Sequence, residues 1–117
     1  MEAFIHKLMA AYSAETCHPS YLEQWSPENP TAGQCAITAL LVYETFGFDI
    51  YEIKVGRARH FFNKTSDGDI IDLTAAQFSH PVDYTNCRER NFKELYKSCA
   101  TRYNILKNNF YGGALCR

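Results

Sequence analysis

The fold is decided by residues 29–47, which read NPTAGQCAITALLVYETFG. Over residues 31–46 the apolar side chains lie nearly all round a helical wheel, which is typical of a helix buried on most sides. Thr31 and Gln34 have the spacing of a capping box with Thr31 as the N-cap, and Gly47 suits the C-cap position. We therefore expect a central helix over residues 31–46.

Two further helices and three short strands are expected around this helix. Apolar residues recur at helical spacing over residues 2–14 and over residues 91–108. Short apolar or alternating runs at residues 50–55, 59–64 and 69–73 predict strands. Because the order is helix, helix, strands, helix, we expect the α+β class, with the central helix packed on a small antiparallel sheet.

The length and composition indicate a single domain over residues 1–117. Since 46% of the residues are hydrophobic, the chain can build its own core without disulfides or a structural metal. The formal net charge of −1 and the lack of a basic stripe argue against nucleic-acid binding. The N-terminal segment lacks the continuous apolar run of a secretory signal or membrane span, so we expect a cytoplasmic protein without membrane association.

The cysteines do not suggest a disulfide framework or a metal centre. They are five in number, widely spaced and without a C-x-x-C pair: Cys17, Cys35, Cys87, Cys99 and Cys116. A zinc site built from Cys17, His18 and a distant cysteine is an alternative, although the usual ligand spacing is missing. No glycine-rich phosphate loop is present, and we expect neither a metal nor an organic cofactor.

Cys35 is the first candidate for a catalytic residue, because it lies in the first turn of the predicted central helix. Free backbone N–H groups and the positive end of the helix dipole favour a thiolate there and can also stabilise an oxyanion. The alternative is a structural cysteine, since small cysteines often belong to apolar cores. Cys99, on the apolar face of the last predicted helix, is expected to be such a core residue.

A thiolate nucleophile needs a base, usually histidine, and the base needs an orienting group. His60 in the second predicted strand and Asp72 in the third are the candidates for these roles. The alternatives are a strand histidine bonded to a backbone carbonyl, and a turn-capping Asp72 that works with Thr74. His80, which precedes a proline in a predicted loop, is a reserve candidate for the base.

The turn between these two strands decides whether His60 and Asp72 share a face, since side chains alternate along a strand. A two-residue loop would place them on opposite faces. A three-residue loop at residues 66–68 pairs Phe62 with Asp72 and makes His60 its diagonal neighbour, within about 7–8 Å. Ser-Asp-Gly suits a type I turn followed by a left-handed glycine. The triad hypothesis therefore predicts a three-residue turn with Gly68 at positive φ.

Two blocks of the sequence resemble the signature blocks of the YunG-like family of small bacterial proteins. The first, NPTAGQCAITAL, matches NPT-x-GQC-x-x-TAL, and the second, HFFNKTSDGDIIDLTAAQF, combines an aromatic-rich His strand, a DG turn and DLT-x-x-QF. Residue types, spacing and order agree over residues 29–78. Phe61 and Phe62 stand where the family usually has a Tyr-Trp pair, and this difference concerns a pocket wall rather than the triad.

The resemblance implies a compact papain-like or transglutaminase-like fold in which Cys35, His60 and Asp72 occupy the positions of a catalytic triad. On this basis we expect a thiol-dependent hydrolase or acyl transferase of the peptidase, amidase or deamidase type. Its substrate would be a peptide, a protein or a small molecule. The alternatives are a non-catalytic binding or inhibitor module that holds a peptide or small molecule in the cleft, and redox sensing through Cys35.

Three further residues are candidates for the oxyanion site or the cleft. Gln34, directly before Cys35, could donate to an oxyanion, but the same side chain is the predicted capping partner of Thr31. Asn29 is a second oxyanion candidate, with a turn-forming role as the alternative. Trp25 is a candidate for lining the cleft, and its alternative role is a lid over the core.

Overall fold

The computed structural model describes residues 1–112, so Cys116 lies outside the described residues. Most of the described chain belongs to helices and strands that follow the predicted order. The elements are α1 (Glu2–Ala11), α2 (Cys35–Phe46), β1 (Asp49–Val55), β2 (Ala58–Lys64), β3 (Ile70–Ile71), β4 (Arg88–Arg90) and α3 (Phe92–Phe110). Two 3₁₀ turns, Pro19–Tyr21 and Ala75–Gln77, lie in the connections.

The strands form one antiparallel sheet in the order β3-β2-β1-β4. Helix α2 contacts β1, β2 and α3, which makes it the central helix and confirms the α+β class. Its residues from Ile37 to Val42 are all buried, as expected for a helix that is apolar on most sides. The core is completed by Leu8 of α1, Ile50 of β1, and Leu95 and Leu106 of α3.

The central helix begins four residues later than predicted, so the interpretation of Thr31 as its N-cap is wrong. The N-cap is Gln34, whose side chain makes no capping hydrogen bond, and Cys35 is the first helical residue. The Gln34 N–H donates instead to the Thr31 carbonyl over 3.2 Å, which closes a separate turn before the helix. The C-terminus is as predicted, with Gly47 as the left-handed C-cap.

Gly33 separates that turn from the helix. Its φ of 71° is in the left-handed region, where a residue with a Cβ is strained. A Cβ at this position would also lie 2.6 Å from Cys17 Sγ and 2.9 Å from the His18 nitrogen. The backbone at Gly33 therefore packs directly against the preceding loop. The His18 N–H of that loop donates a hydrogen bond to the Gly33 carbonyl over 2.9 Å.

The flanking helices are close to their predicted extents. Helix α3 is capped by Asn91, whose side chain accepts a hydrogen bond from the Glu94 N–H over 3.2 Å. Helix α1 ends at Ala11, three residues earlier than predicted. No helix within residues 1–112 combines the length and the apolar character needed to cross a membrane.

The edge strand β4 was not predicted. Its sequence, Arg-Glu-Arg, is charged and has no apolar alternation, and it forms by pairing with β1. Its arginines lie beside Glu52, which is buried in the middle of β1. Strand β4 thus depends on a neighbour that is distant in sequence.

Candidate active site

Cys35 lies at the amino end of α2 and is half-buried. It lines a cleft of about 390 Å³ whose walls come from the loop after α1, the β1–β2 hairpin and α3. Its Sγ is 4.0 Å from the carbonyl oxygen of Arg59, the residue before His60. The thiol is therefore accessible from the cleft and adjacent to the strand that carries the histidine.

His60 is completely buried in β2, and its Nε2 lies 2.7 Å from Asp72 Oδ2. Its Nδ1 is also buried and has no hydrogen-bond partner within residues 1–112. Burial acts to lower the pKa of His60, but its interactions with Asp72 and Cys35 outweigh burial and raise the pKa to about 9. The ring is therefore held by the carboxylate on one nitrogen, and the other nitrogen is available to the thiol.

The turn between β2 and β3 has the predicted length. Asn63 pairs with Ile71 and Lys64 with Ile70, so that residues 66–68 form the loop. The Thr65 N–H donates to the Asp69 carbonyl over 2.9 Å at the base of the turn. Gly68 has a φ of 87°. The predicted register is confirmed, and it is this register that brings His60 and Asp72 to the same face.

Asp72 is fixed by donors on both of its carboxylate oxygens. Tyr84 donates its O–H to Oδ2 over 2.6 Å, and Thr74 donates its backbone N–H to Oδ1 over 3.3 Å. Burial and the neighbouring carboxylate raise the pKa of Tyr84, which keeps it a donor. Sequence analysis missed Tyr84, because it lies in an irregular segment where no spacing relates it to Asp72.

Aromatic rings surround the imidazole. The Phe78 ring packs edge-on against His60 with 4.8 Å between centroids, and Phe62 stacks on it at 6.3 Å. These contacts restrict the ring orientation and exclude water from the pair with Asp72. Phe61, on the opposite side of the strand, lines the cleft, whereas Phe62 does not, so the expected pocket-wall position holds for Phe61 alone.

The side chain of Gln34 is turned away from the cleft. It is fully buried, and its Nε2 donates to the Ser13 carbonyl over 3.2 Å. Its Oε1 is buried without a partner. The side chain therefore joins the start of α2 to the end of α1, and it neither caps the helix nor lines the cleft.

Asn29 and Trp25 do not line the cleft either. The Asn29 amide donates to the Gln24 carbonyl over 2.9 Å, which is the turn-forming alternative of the sequence analysis. The Trp25 Nε1 donates to the Pro30 carbonyl over 3.0 Å within the same loop. The polar atoms of both side chains are thus used to hold their own loop together.

Gln77, which sequence analysis did not single out, does line the cleft. Its Oε1 accepts a hydrogen bond from the Gly33 N–H over 3.4 Å, and its Nε2 is buried with no partner among the residues that the structure describes. The sequence feature that could have identified Gln77 is its position in the block DLTAAQF. Gln77 thus forms part of the cleft wall, while its Nε2 atom is enclosed.

Within residues 1–112 no three His, Cys, Asp or Glu side chains are grouped closely enough to hold a metal ion. Cys17, the proposed start of a zinc site, is buried and donates its thiol to the His18 carbonyl over 3.3 Å. His80, the reserve candidate for the base, is exposed and lies outside the cleft. Of the candidate residues, His60 adjoins Cys35, and Asp72 adjoins His60.

Comparisons with known proteins identify a family and a relative of this chain, but neither description names an activity. The model of the family described as YunG protein matches residues 1–113. The chain is also similar to an uncharacterized protein, YunG of Bacillus subtilis (strain 168), with 30% identity over 87 residues, 74% of this chain and 75% of the relative. No solved structure matches the chain. The chemistry of the site must therefore be argued from its own geometry.

Proposed function

The chain belongs to the YunG family, and from this premise and the geometry around Cys35 we propose that it is a thiol-dependent hydrolase or acyl transferase. The reaction would be of the peptidase, amidase or deamidase type, on a peptide, protein or small-molecule substrate. One observation carries the proposal. A buried His60 is bonded to Asp72 through Nε2, its Nδ1 has no partner among residues 1–112, and it adjoins a cysteine that begins a helix and lines a cleft.

In the proposed reaction, the thiol proton of Cys35 has already moved to His60, whose pKa of about 9 keeps it an imidazolium at neutral pH, and the Cys35 Sγ thiolate attacks the carbonyl carbon of the substrate. The tetrahedral intermediate collapses when the C–N bond breaks and the imidazolium gives its proton to the leaving amine. The remaining thioester is then attacked by water or by a second acceptor, which releases the acyl product and restores the thiol. The ring must approach the sulfur more closely than in the free protein, as is common for catalytic hydrogen bonds before substrate binds.

The oxyanion of that intermediate would be stabilised by backbone donors at the start of α2. The first backbone N–H groups of α2 point out of the helix start where Cys35 lies. Asp72 holds the imidazole with its Nε2–H toward the carboxylate, which leaves Nδ1 as the base.

We also propose that the domain has a compact papain-like fold. The support is the chain order: a cysteine at the start of the central helix, a histidine on β2 and an aspartate directly after β3. The antiparallel sheet packed on that helix is compatible with this architecture. An experimental structure superposed on papain-like hydrolases tests this part, and a superposition in which the three residues do not coincide would refute it.

The reactivity of Cys35 tests the proposed function without knowledge of the substrate. The native protein is treated with iodoacetamide near neutral pH, and the alkylated cysteines are quantified by mass spectrometry. Cys35 is expected to react at least about tenfold faster than Cys87, which is also half-buried but has no histidine or helix start beside it. His60→Ala should abolish the difference.

Catalysis is tested by release of chromophore from a panel of N-acetylated peptide anilides, with Cys35→Ala as the control. Turnover that disappears in Cys35→Ala would support the enzyme. If Cys35 is no more reactive than Cys87, the thiol is not activated and the enzymatic proposal fails. The non-catalytic binding module would then be the better account of the cleft.

A further inference from the structure

Arginine and lysine are unevenly distributed around the cleft that contains Cys35. Of the five arginines in the described part of the chain, four line the cleft: Arg57, Arg59, Arg90 and Arg102. None of the six lysines lines it, and no aspartate or glutamate does. In a chain of net charge −1, this is a local concentration of positive charge built from one residue type.

The internal ion pairs account for only part of this charge. Glu52, buried in β1, contacts Arg90 most closely, and Arg90 is only 16% exposed. Arg59 and Arg88 lie 3.6 Å and 3.4 Å from the same carboxylate, with 64% and 68% of their side chains exposed. One carboxylate balances one guanidinium, so Arg90 suffices for Glu52, and the charge of Arg59 remains available to the cleft.

The other two arginines have no carboxylate partner within residues 1–112. Arg57 is exposed in the turn between β1 and β2, and its side chain makes no hydrogen bond to any other residue of the described part of the chain. Arg102 projects from α3 and donates Nη1 to the Thr16 carbonyl over 3.3 Å, which leaves most of its guanidinium N–H groups free. The positive charges therefore come from two walls of the cleft, the sheet side and the α3 side.

We propose that this cleft takes an acyl or amide substrate that carries carboxylate groups next to the reacting carbonyl, such as an acidic peptide segment. Guanidinium groups bind carboxylates through paired N–H donors, which explains why arginine rather than lysine lines the site. A volume of about 390 Å³ is within the usual range for a small ligand or a short peptide segment. The inference rests on the proposed function for the chemistry at Cys35 and adds the substrate class.

Two alkylating reagents of nearly equal size test this preference at the thiol itself. Iodoacetate carries a carboxylate where iodoacetamide carries an amide, so the ratio of their rates at Cys35 measures the effect of the surrounding charge. At low ionic strength the iodoacetate rate, relative to iodoacetamide, is expected to be higher at Cys35 than at Cys87. The preference should fade at 1 M salt, where charges are screened within about 3 Å.

Arg59→Gln and Arg88→Gln form a matched pair of variants for this measurement. Both remove one exposed charge that contacts Glu52, but only Arg59 lines the cleft. Arg59→Gln should lower the iodoacetate-to-iodoacetamide ratio at Cys35 about two- to fivefold, the effect expected of one exposed charge. Arg88→Gln should leave the ratio unchanged. Equal ratios in the native protein and in both variants would overturn the assignment.

Peptide binding provides a second readout that does not need a reactive thiol. The Cys35→Ala protein is titrated calorimetrically with acetylated triglutamate amide and with acetylated triglutamine amide. The acidic peptide is expected to bind at least about tenfold more tightly, and Arg57→Gln or Arg102→Gln should weaken it. Tighter binding of inorganic phosphate than of triglutamate would show a phosphate site and overturn the carboxylate class.

The two readouts separate the failure of this inference from failure of the proposed function. A Cys35 that reacts selectively with iodoacetamide but shows no preference for iodoacetate or triglutamate keeps the thiol chemistry and overturns the substrate class. An unreactive Cys35 in a protein that still binds triglutamate over triglutamine overturns the enzyme and keeps an acidic-ligand site.

Discussion

Two of the free cysteines lie in helices, one at the start of α2 and one in the middle of α3. Cys35 begins its helix, lines a cleft and adjoins His60. Cys99 is buried, and its Sγ donates to the Leu95 carbonyl one turn earlier, over 3.2 Å. Burial raises the pKa of the Cys99 thiol. The same side chain is thus a candidate nucleophile or an inert core residue, depending on its helix position and its neighbours.

A negative charge at each position should separate the two environments most strongly. Cys99→Asp places an unpaired carboxylate in the core and is expected to cost about 3 kcal/mol or more in unfolding free energy. Cys35→Asp places the same charge at a helix amino end beside a histidine, and less than about 1 kcal/mol should be lost. Urea denaturation measures both values.

Cys99→Ala is the control, because it removes the thiol without adding charge. If Cys35→Asp costs as much as Cys99→Asp, the start of α2 is as enclosed as the core, and the contrast between the two cysteines is lost.

The pH dependence of the unfolding free energy should show the contribution of His60, which lies beside Cys35 and not beside Cys99. A histidine whose pKa rises from 6.5 to about 9 on folding stabilises the protein fully below pH 6.5. That contribution, roughly 3 kcal/mol, should be lost as the pH rises from 6.5 through 9. It is measured as the fall of the urea midpoint over this interval.

His60→Gln should remove this fall, whereas His6→Gln, at an exposed position of α1, should keep it. An unchanged slope in His60→Gln would mean that the raised pKa does not come from the pair with Asp72 and Cys35.

Loss of the Asp72 charge should reduce the reactivity of Cys35 and leave Cys99 unaffected. Asp72→Asn keeps a side chain of the same shape but removes the charge that stabilises the imidazolium, so alkylation of Cys35 at neutral pH should slow about tenfold. Asp69→Asn, at an exposed position of the same hairpin, is the matched control and should have no effect. Equal rates in the two variants would contradict the proposed role of Asp72 in activating Cys35.

The smallest effect is expected from Tyr84→Phe. This change removes one donor to Asp72 Oδ2 and leaves the ring contact with Phe62, which has a centroid distance of 4.9 Å. Alkylation of Cys35 should slow about two- to fivefold, because the carboxylate is held less firmly. Tyr96→Phe removes an exposed hydroxyl contact on α3 and should not change the rate. If Cys35 in Tyr84→Phe is alkylated at the native rate, the hydroxyl of Tyr84 has no effect on the thiol and the residue contributes only its ring packing.

The parts of the fold set by local patterns were predictable from the sequence. The apolar run of α2 predicted that the helix is buried, and Gly47 predicted where it ends. The Ser-Asp-Gly turn predicted the strand register that joins His60 to Asp72. These features depend on residues close together in the chain.

The rest depended on contacts between distant residues. The start of α2 is displaced because Gly33 packs on Cys17, sixteen positions earlier, and a local capping pattern cannot show that contact. Strand β4 and its arginines are organised around Glu52, and Tyr84 reaches Asp72 from an irregular segment. Long-range pairs of this kind require the three-dimensional structure.

The three-residue turn at residues 66–68 links the chemistry of the site to the exact length of an exposed hairpin tip. Hairpin tips normally accept insertions and deletions at little cost. Here the gain or loss of a single residue would move Asp72 to the other surface of the sheet while most of the core stayed intact. A relative with one residue more or less at this tip would separate Asp72 from His60 and still fold, so tip length is a quick criterion for sorting homologues that keep this pair from those that have lost it.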